Sequence, residues 1–250
     1  MKFVVEKAFA DQREEILHFV NHFSREGEVL DKGQRNDIKI FDLNGKKLNV
    51  KSFKKPNLIN QVAYKYFRKS KARRSFENAN YLLSHNLKTP VPVAYAEAPG
   101  LLFTESFYVC EQIPYDLTFR ELIHEPDYPQ REEILRAFTQ FTFRLHENNV
   151  NFLDHSPGNT LIQTNNGNFE FYLVDLNRMK FEPLNFEERM KNLHRITRFE
   201  DMAKIIANEY AKLIPETEEE VFSELWSHIQ KFQEKARKKK EFKKRLGLKK

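Results

Sequence analysis

The stretch FLDHSPGNTLI (residues 152–162) places Asp, Ser, Pro, Gly and Asn between two apolar runs. A second run, FYLVDLNRM (residues 171–179), ends its apolar part in Asp-Leu-Asn. Because these residue types favour the backbone angles that reverse a chain, residues 154–159 are interpreted either as a plain turn or as a loop that holds a base and a metal ligand. The rest of the chain has to decide between the two interpretations.

The composition indicates a folded protein with a core rich in phenylalanine. The 250 residues are 40% hydrophobic and include 23 Phe but one Trp, which is enough for one large domain or two lobes. The single cysteine, Cys110, lies in the apolar run FYVCEQI, so we expect a buried thiol in a reduced, cytoplasmic protein. The N-terminus MKFVVEKAFADQREEIL lacks the apolar run of a signal peptide or membrane span.

Positive charge is concentrated at the C-terminal end of the chain. Residues 231–250 contain eleven Lys or Arg and two Glu, a charge of +9, whereas the whole chain has a net charge of +6. The rest of the chain is therefore slightly acidic. A basic segment of this kind attracts anionic membranes and nucleic acids alike, so the charge alone does not identify a partner.

The order of predicted elements indicates an α+β chain. IKIFDL and LNVKSF flank an Asn-Gly pair and predict a β-hairpin, and TPVPVAYAE and SFYVCEQI predict two more extended segments. Apolar residues at helical spacing predict helices in residues 59–86, with the basic section KSKARR as a break, and in residues 129–149. FEFYLVDL is then a strand, and residues 186–236 predict two or three helices. Strand runs followed by helix runs are typical of α+β proteins.

Several residues occur in the order that a phosphotransferase of the protein-kinase type requires. Lys51 lies on a predicted strand and Glu77 on the next helix, where an ion pair would aim the lysine at the α- and β-phosphates. Asp154 and Asn159 stand five residues apart, which is the Asp-to-Asn spacing of the kinase catalytic loop H-R-D-L-x-x-x-N. Asp175 opens a D-x-x triplet at a strand end, in the position of D-F-G.

The chemistry of phosphoryl transfer explains this choice of residue types. The reaction needs little covalent help from protein, so a site positions the acceptor hydroxyl and neutralises charge on the γ-phosphoryl, usually through Mg²⁺. Asp154 is predicted to accept or orient the acceptor's proton, while Asn159 and Asp175 offer the oxygen ligands that Mg²⁺ prefers. Taken singly, each residue also fits an ordinary role at a surface, turn or strand end. Their order favours catalysis, and the nearby His146 is predicted to be structural.

The sequence resembles the Kdo/WaaP-type lipopolysaccharide kinases of the protein-kinase-like superfamily. The resemblance is carried by NVKSFKKPNLIN, FRKSKARRSFENA, TPVPVAYAE, TFRELIHEP, RLHENNVNFLDHSPGNTLI and FYLVDLNRMKF, which cover most of residues 31–199. It implies a two-lobed, protein-kinase-like α+β fold with a β-rich N-lobe (1–110), a helical C-lobe (111–236) and a basic tail (237–250). It also implies transfer of the γ-phosphoryl group of ATP, with Mg²⁺, to a Kdo or heptose hydroxyl of the lipopolysaccharide inner core.

The resemblance assigns roles position by position. Lys51 matches the lysine that holds the phosphates, and Glu77 matches its helix partner. Asp154 matches the catalytic aspartate, and Asn159 and Asp175 match the two metal ligands.

Two further positions complete the expected nucleotide site. Glu111 falls where the hinge to the second lobe begins, and its backbone is expected to face adenine. Gly33, in DKGQRN, is assigned to the loop that covers the phosphates, although the chain has no G-x-G-x-x-G. Phe152 and Leu153 replace the usual His-Arg before the catalytic aspartate, so activation through that arginine is not expected. Asn177 replaces the last Gly of D-F-G.

The resemblance also bears on partners. The basic cluster in residues 65–74 is interpreted either as contacts to acidic groups of the acceptor or as a solvated helix face. Each Lys or Arg of the tail near an anionic leaflet contributes on the order of 1 kcal/mol. We therefore expect peripheral attachment to the inner face of the inner membrane and do not expect nucleic acid as a partner. Two alternatives stay open: a kinase-like enzyme with another small-molecule or protein hydroxyl as acceptor, and a nucleotide-binding pseudokinase module.

Overall fold

The computed structural model describes residues 1–32, 36–54, 68–99, 104–165, 167–245 and 247. The chain divides into two compact units. Unit 1 comprises Met1–Pro114 with Leu173–Arg178, and unit 2 comprises Tyr115–Tyr172 with Met179–Lys250. Strands dominate unit 1 and helices dominate unit 2, which confirms the α+β class. The lobe boundaries predicted from the sequence stay a prediction.

Unit 1 is built on a six-stranded antiparallel sheet. The strands are β1 (Lys2–Val5), β2 (Glu28–Lys32), β3 (Asn36–Leu43), β4 (Lys46–Phe53), β5 (Pro92–Glu97) and β6 (Ser106–Glu111). Their order across the sheet is β1-β5-β6-β4-β3-β2.

The predicted hairpin is confirmed as β3 and β4. Asn44 and Gly45 have φ angles of 54° and 87°, and this left-handed conformation at both central positions is what a type I′ turn requires. The turn fixes the register of β4 with β3, so Lys51 lies opposite Ile38, and on its other side Lys51 pairs with Tyr108 of β6. Because strand side chains alternate, Val50 enters the apolar core and Lys51 lies on the opposite face of the sheet.

Two helices accompany this sheet. Helix α1 (Arg13–Asn21) follows a 3₁₀ helix (Lys7–Gln12) and buries Ile16, Phe19 and Val20 in the same core as Val50. Helix α2 (Lys71–Ser84) packs against β5 and β6. It begins inside the section that was predicted to break the helical pattern, where the hydroxyl of Ser70 caps it by accepting from the Arg73 N–H at 3.0 Å. Residues 59–67 of the predicted helical region lie outside the described residues.

Unit 2 contains most of the remaining elements. Its helices are α3 (Phe119–His124), α4 (Arg131–Glu147), α5 (Phe186–Leu193), α6 (Glu200–Ala211) and α7 (Glu218–Arg245). Its short strands are β7 (Leu117–Thr118), β8 (Val150–Phe152), β9 (Thr160–Asn165), β10 (Asn168–Leu173, whose last residue groups with unit 1) and β11 (Met179–Phe181). They form two small sheets, ordered β10-β9-β7 and β11-β8.

Phe138 of α4 lies at the centre of the unit 2 core. It is fully buried, and its ring centroid is 4.5 Å from that of Phe119 in α3 and 5.7 Å from that of Phe171 in β10. The ring of His155 lies 5.4 Å away. One side chain therefore packs helix, sheet and the loop 154–159 together.

The basic tail begins within a helix. The first half of α7 buries Val221, Leu225 and Ile229, whereas every described residue from Gln230 onward is exposed. Residues 237–245 of the predicted tail thus continue α7. None of the helices in the described part of the chain has an apolar stretch long enough to cross a bilayer.

Replacing Phe138 with Ala is expected to lower the free energy of unfolding by about 3–5 kcal/mol, because a fully buried aromatic ring leaves a cavity. Denaturant unfolding measures this loss. Phe242→Ala is the matched control, since Phe242 is 62% exposed, and its effect should stay within about 0.5 kcal/mol. Equal losses for the two variants would contradict the assignment of Phe138 to the core.

Candidate active site

Lys51 and Asp175 form an ion pair in unit 1. The Nζ atom of Lys51 lies 2.6 Å from Oδ1 of Asp175, and the two side chains are 13% and 32% exposed. Strand β4 positions the lysine, and the segment Leu173–Arg178 positions the aspartate. The structure therefore brings together the predicted phosphate-binding lysine and one predicted metal ligand.

The Asp175 backbone is held in an unusual conformation. Its φ is 60°, in the left-handed region that residues other than glycine seldom adopt. Nδ2 of Asn177 donates to Oδ1 of Asp175 at 2.8 Å, and Nδ2 of the buried Asn78 donates to the Leu176 carbonyl at 2.7 Å. Helix α2 thus fixes this triplet from one side while Asn177 fixes the carboxylate.

The ion pair predicted between Lys51 and Glu77 is not formed in this structure. The Glu77 carboxylate instead accepts from Nε of Arg73 at 2.9 Å and from Nζ of Lys69 at 2.8 Å. Burial opposes ionisation, but these hydrogen bonds lower the pKa of Glu77 overall. The two side chains have other partners here because Arg73, one turn earlier on the same helix, and Lys69 supply cations to Glu77, while Asp175 pairs with Lys51. The pairing of Lys51 with Glu77 in a nucleotide-bound site stays a prediction.

The loop 154–159 brings two predicted residues together in unit 2. It contains a 3₁₀ turn, Pro157–Asn159, and Nδ2 of Asn159 donates to the Asp154 carbonyl at 2.8 Å. The Asp154 carboxylate accepts from Nη1 of Arg195 at 2.9 Å. The segment is therefore a turn, and its internal hydrogen bond also fixes the spacing between Asp154 and Asn159.

Arg195 is a functional candidate that the sequence analysis missed. Its Nη1 also contacts the Leu153 carbonyl at 3.3 Å, and its guanidinium stacks over the Phe232 ring at 5.8 Å. Since Arg195 lies 41 residues after Asp154, no local motif indicates the contact. It supplies a cation beside a loop in which Leu153 replaces the usual arginine.

Behind the loop lies a buried hydrogen-bond network centred on Asn192. Its Nδ2 group donates to the Phe152 carbonyl and to Oδ1 of Asn151, both at 3.0 Å. Because a backbone carbonyl can only accept, the first contact fixes which end of the Asn192 amide is the donor. The amide oxygen must then accept from the two histidines that it contacts.

This assignment fixes the protonation of His146 and His155. Nε2 of His146 donates to the Asn192 oxygen at 3.2 Å, so its Nδ1 accepts from the Tyr210 hydroxyl at 2.7 Å. Nδ1 of His155 donates to the same oxygen at 3.0 Å, and its Nε2 is buried with no hydrogen-bond partner among the described residues. Burial lowers the pKa of His146 to about 3 and that of His155 to about 4. Both rings are therefore neutral near pH 7, which suits the structural role expected of His146.

Three other sequence predictions concern the nucleotide site and the thiol. Glu111 ends β6, its carboxylate pairs with Lys46 at 2.6 Å, and its N–H donates to the Val91 carbonyl. Cys110 is buried, and burial raises the pKa of its thiol to about 12, so the thiol stays protonated. Gly33 lies outside the described residues, as does Lys65 of the basic cluster.

Each of the two predicted metal ligands, Asn159 in unit 2 and Asp175 in unit 1, offers an oxygen of the kind that Mg²⁺ takes. Because Nδ2 of Asn159 donates to the Asp154 carbonyl, its Oδ1 is the atom that remains to bind a cation. Asp175 offers a carboxylate that already attracts the Lys51 ammonium. Amide and carboxylate oxygens are the ligands that Mg²⁺ prefers.

A lysine on a sheet strand, an Asp–Asn loop and a strand-end aspartate are the parts of a protein-kinase-like protein. A solved structure described as WaaP in complex with acyl carrier protein has this fold: its TM-score is 0.65 at 17% sequence identity, covering 95% of this chain and 99% of that chain. A search of curated proteins found no significant match. The model of the lipopolysaccharide kinase (Kdo/WaaP) family matches residues 24–216, so the chain belongs to that family. The fold and family expected from the sequence are thereby confirmed, and the chain is a phosphotransferase by family.

The neutral histidines predict an acid-sensitive fold. The pKa values of His146 and His155 lie below the ordinary value near 6.5, so the unfolded chain binds more protons and stability is lost as the pH falls below 6.5. Each histidine contributes about 1.4 kcal/mol per pH unit in this range. Together they should remove about 5 kcal/mol between pH 6.5 and 4.5, before most carboxylates protonate.

Denaturant unfolding at several pH values between 7 and 4.5 measures how steeply the free energy of unfolding changes with pH. In His155→Gln, this pH dependence should be smaller by about 1.4 kcal/mol per pH unit, because one proton-binding group is removed. A free energy of unfolding that does not change across this range would contradict the neutral, buried assignment.

Proposed function

We propose that this protein is an ATP- and Mg²⁺-dependent kinase that phosphorylates a sugar hydroxyl, of Kdo or of heptose, in the lipopolysaccharide inner core. Membership of the lipopolysaccharide kinase family supports the class of acceptor. The observation that carries the proposal is the 2.6 Å ion pair of Lys51 with Asp175, which supports their assignment as the phosphate-binding cation and one of the metal-binding groups.

Lys51 and Asp175 prepare the nucleotide site for two charged ligands. With ATP bound, the Lys51 ammonium would hold the oxygens of the nonreacting phosphates. Asp175 and Asn159 are the residues that would hold Mg²⁺, and the ion would neutralise charge on the γ-phosphoryl group. The charges of Lys51 and Asp175 would then each have a ligand as partner in place of one another.

Asp154 acts on the acceptor in this mechanism. Its carboxylate accepts or orients the proton of the attacking sugar hydroxyl. Arg195 holds the carboxylate at 2.9 Å, and the hydrogen bond from Asn159 holds the Asp154 carbonyl. The aspartate is therefore oriented before the acceptor arrives.

Glu77 and Glu111 complete the proposed nucleotide site. Since the Glu111 N–H is used by Val91, we assign the adenine contact to the Glu111 carbonyl. We assign Glu77 to an ion pair with Lys51 in the ATP-bound state. To form this pair, the Glu77 carboxylate would give up its present contact with Arg73 or Lys69. Gly33 keeps its assignment to the phosphate-covering loop.

We also propose that the exposed half of α7 attaches the protein to an anionic membrane surface, which places it at the cytoplasmic face of the inner membrane. The proposal is supported by the exposure of every described residue from Gln230 onward and by the +9 charge of residues 231–250. The similar WaaP structure contains an acyl carrier protein, so a protein partner for this surface is the competing outcome.

The Asp154→Asn variant should lower kcat by roughly 100- to 10,000-fold, the range that a positioned base contributes, while ATP binding changes little. The assay follows labelled γ-phosphate from ATP with Mg²⁺ to lipid A that carries either Kdo alone or Kdo and heptose. Asp201→Asn is the matched control, since Asp201 is 63% exposed and pairs only loosely with Arg131 at 3.3 Å. Normal turnover by Asp154→Asn would remove the assignment of Asp154.

The same assay tests the function as a whole. Labelled lipid from the wild type alone establishes the reaction, and the lipid that accepts the label distinguishes Kdo from heptose. ATP binding without labelled lipid would refute the proposed acceptor and favour either another hydroxyl or the nucleotide-binding pseudokinase module. Absence of ATP binding would contradict the nucleotide site itself.

Neutralising four exposed lysines of α7 should weaken binding to anionic vesicles by roughly 100-fold or more, at about 1 kcal/mol per charge. The variant replaces Lys239, Lys240, Lys243 and Lys244 with Gln. Sedimentation with vesicles at low and physiological salt measures the effect, because screening should weaken wild-type binding too. The control replaces four exposed lysines elsewhere in unit 2, at positions 180, 191, 204 and 212. Equal binding by both variants would refute the role of the tail.

A further inference from the structure

Arg120 of α3 lies directly against Gly158 of the loop 154–159. A Cβ atom at Gly158 would be 2.3 Å from Nη2, 2.6 Å from Cζ and 2.7 Å from Nε of Arg120. The φ angle of Gly158 is outside the left-handed region. The Arg120 guanidinium therefore occupies the space that a side chain at residue 158 would take, and a Cβ there would require the guanidinium to shift.

Among the described residues the Arg120 guanidinium forms no ion pair, although it interacts electrostatically with the adjacent Glu121 carboxylate. The neighbouring carboxylate, Glu121, is used in a capping box, where its Oε2 accepts from the Thr118 N–H at 2.8 Å and from the Thr118 hydroxyl at 2.7 Å. Within the described part of the chain, no carboxylate lies at ion-pair distance from Arg120, which is exposed. A guanidinium that lies against a loop and forms no ion pair can bind an anion from solution.

The loop has no other cation to offer. The sequence DHSPGN of residues 154–159 contains neither Lys nor Arg. His155 is buried and neutral, and Arg195 already binds the Asp154 carboxylate. Arg120 therefore lies against this loop with a guanidinium that donates to no other described residue.

We propose that Arg120, seated on Gly158, forms a binding site for an oxyanion of the reacting molecules, either a phosphate group of the nucleotide or an acidic group of the acceptor. The planar guanidinium presents paired N–H donors that match a carboxylate or phosphate. This inference rests on the proposed function, because it gives the site a role in holding a reactant beside Asp154.

The packing against Gly158 provides a specific test. Gly158→Ala leaves the charge of Arg120 in place but moves the guanidinium, because the new Cβ overlaps it. Arg120→Gln removes the charge directly. If both act on one site, the double variant loses no more than the more affected single variant, whereas independent effects would add.

The first measurement is the binding of inorganic phosphate to the full chain without nucleotide. The readout is the chemical shift of the backbone amide of residue 158 in an NMR titration. The wild type should show a saturable shift, and so should Arg144→Gln, a control at an exposed arginine of α4 that stacks over Phe141. Arg120→Gln and Gly158→Ala should each weaken binding at least tenfold. Unchanged phosphate binding in Arg120→Gln overturns the proposal, whichever acceptor the enzyme uses.

The second measurement assigns the source of the anion. In the labelled-phosphate assay, a rise in KM for the glycolipid at constant KM for ATP in Arg120→Gln assigns the site to the acceptor. A rise in KM for ATP alone assigns it to the nucleotide, and unchanged values for both overturn the proposal. Arg120→Lys should recover only part of the loss, since an ammonium lacks the paired donors.

The two measurements separate this inference from the proposed function. A wild type that labels no lipid refutes the glycolipid acceptor, and phosphate binding then still decides whether Arg120 forms the site. A wild type that labels lipid while Arg120→Gln behaves identically in both measurements refutes the site and leaves the function in place.

Discussion

The arrangement of unit 2 depends on one buried amide, that of Asn192. Its oxygen accepts from two histidines and its nitrogen donates twice, which uses every hydrogen-bonding position that an Asn side chain has. The partners come from α4, from the strand before the loop and from the loop itself. An unsatisfied buried polar group costs about 1–3 kcal/mol, so none of these partners can move without a loss of stability. Since Asp154 is next to His155 in the chain, the same network restrains Asp154.

In unit 1, side-chain amides also hold the backbone and the carboxylate of Asp175 in place. An aspartate with positive φ stores strain, and the strain is offset by amide groups: Asn177 holds the carboxylate and Asn78 holds the neighbouring carbonyl. Thr89 adds a hydrogen bond to the Leu173 carbonyl at 2.7 Å. In both units, therefore, neutral amides and hydroxyls fix the backbone and leave the charged groups for ligands.

The sequence predicts the parts of the molecule that local rules decide. The β3–β4 hairpin follows from its Asn-Gly turn, α4 follows from its apolar spacing, and the Asp154–Asn159 relation follows from a loop whose hydrogen bond is internal. The present partners of Glu77, Lys69 and Arg73, were not predicted from the sequence, because several cations compete for one carboxylate and distance decides among them. Arg195, Asn192 and Arg120 could not be found from the sequence, since each acts across 37 residues or more or through close packing.

The exposed half of α7 also separates charge in space. Sixteen helical residues follow Ile229, the last buried one, and at 1.5 Å per residue they extend roughly 24 Å. This is about three Debye lengths at physiological salt, so the acidic remainder of the chain does little to cancel the field of the helix end. The chain consequently carries a permanent electric moment along α7, and that moment turns the molecule helix-end first as it approaches a negatively charged surface.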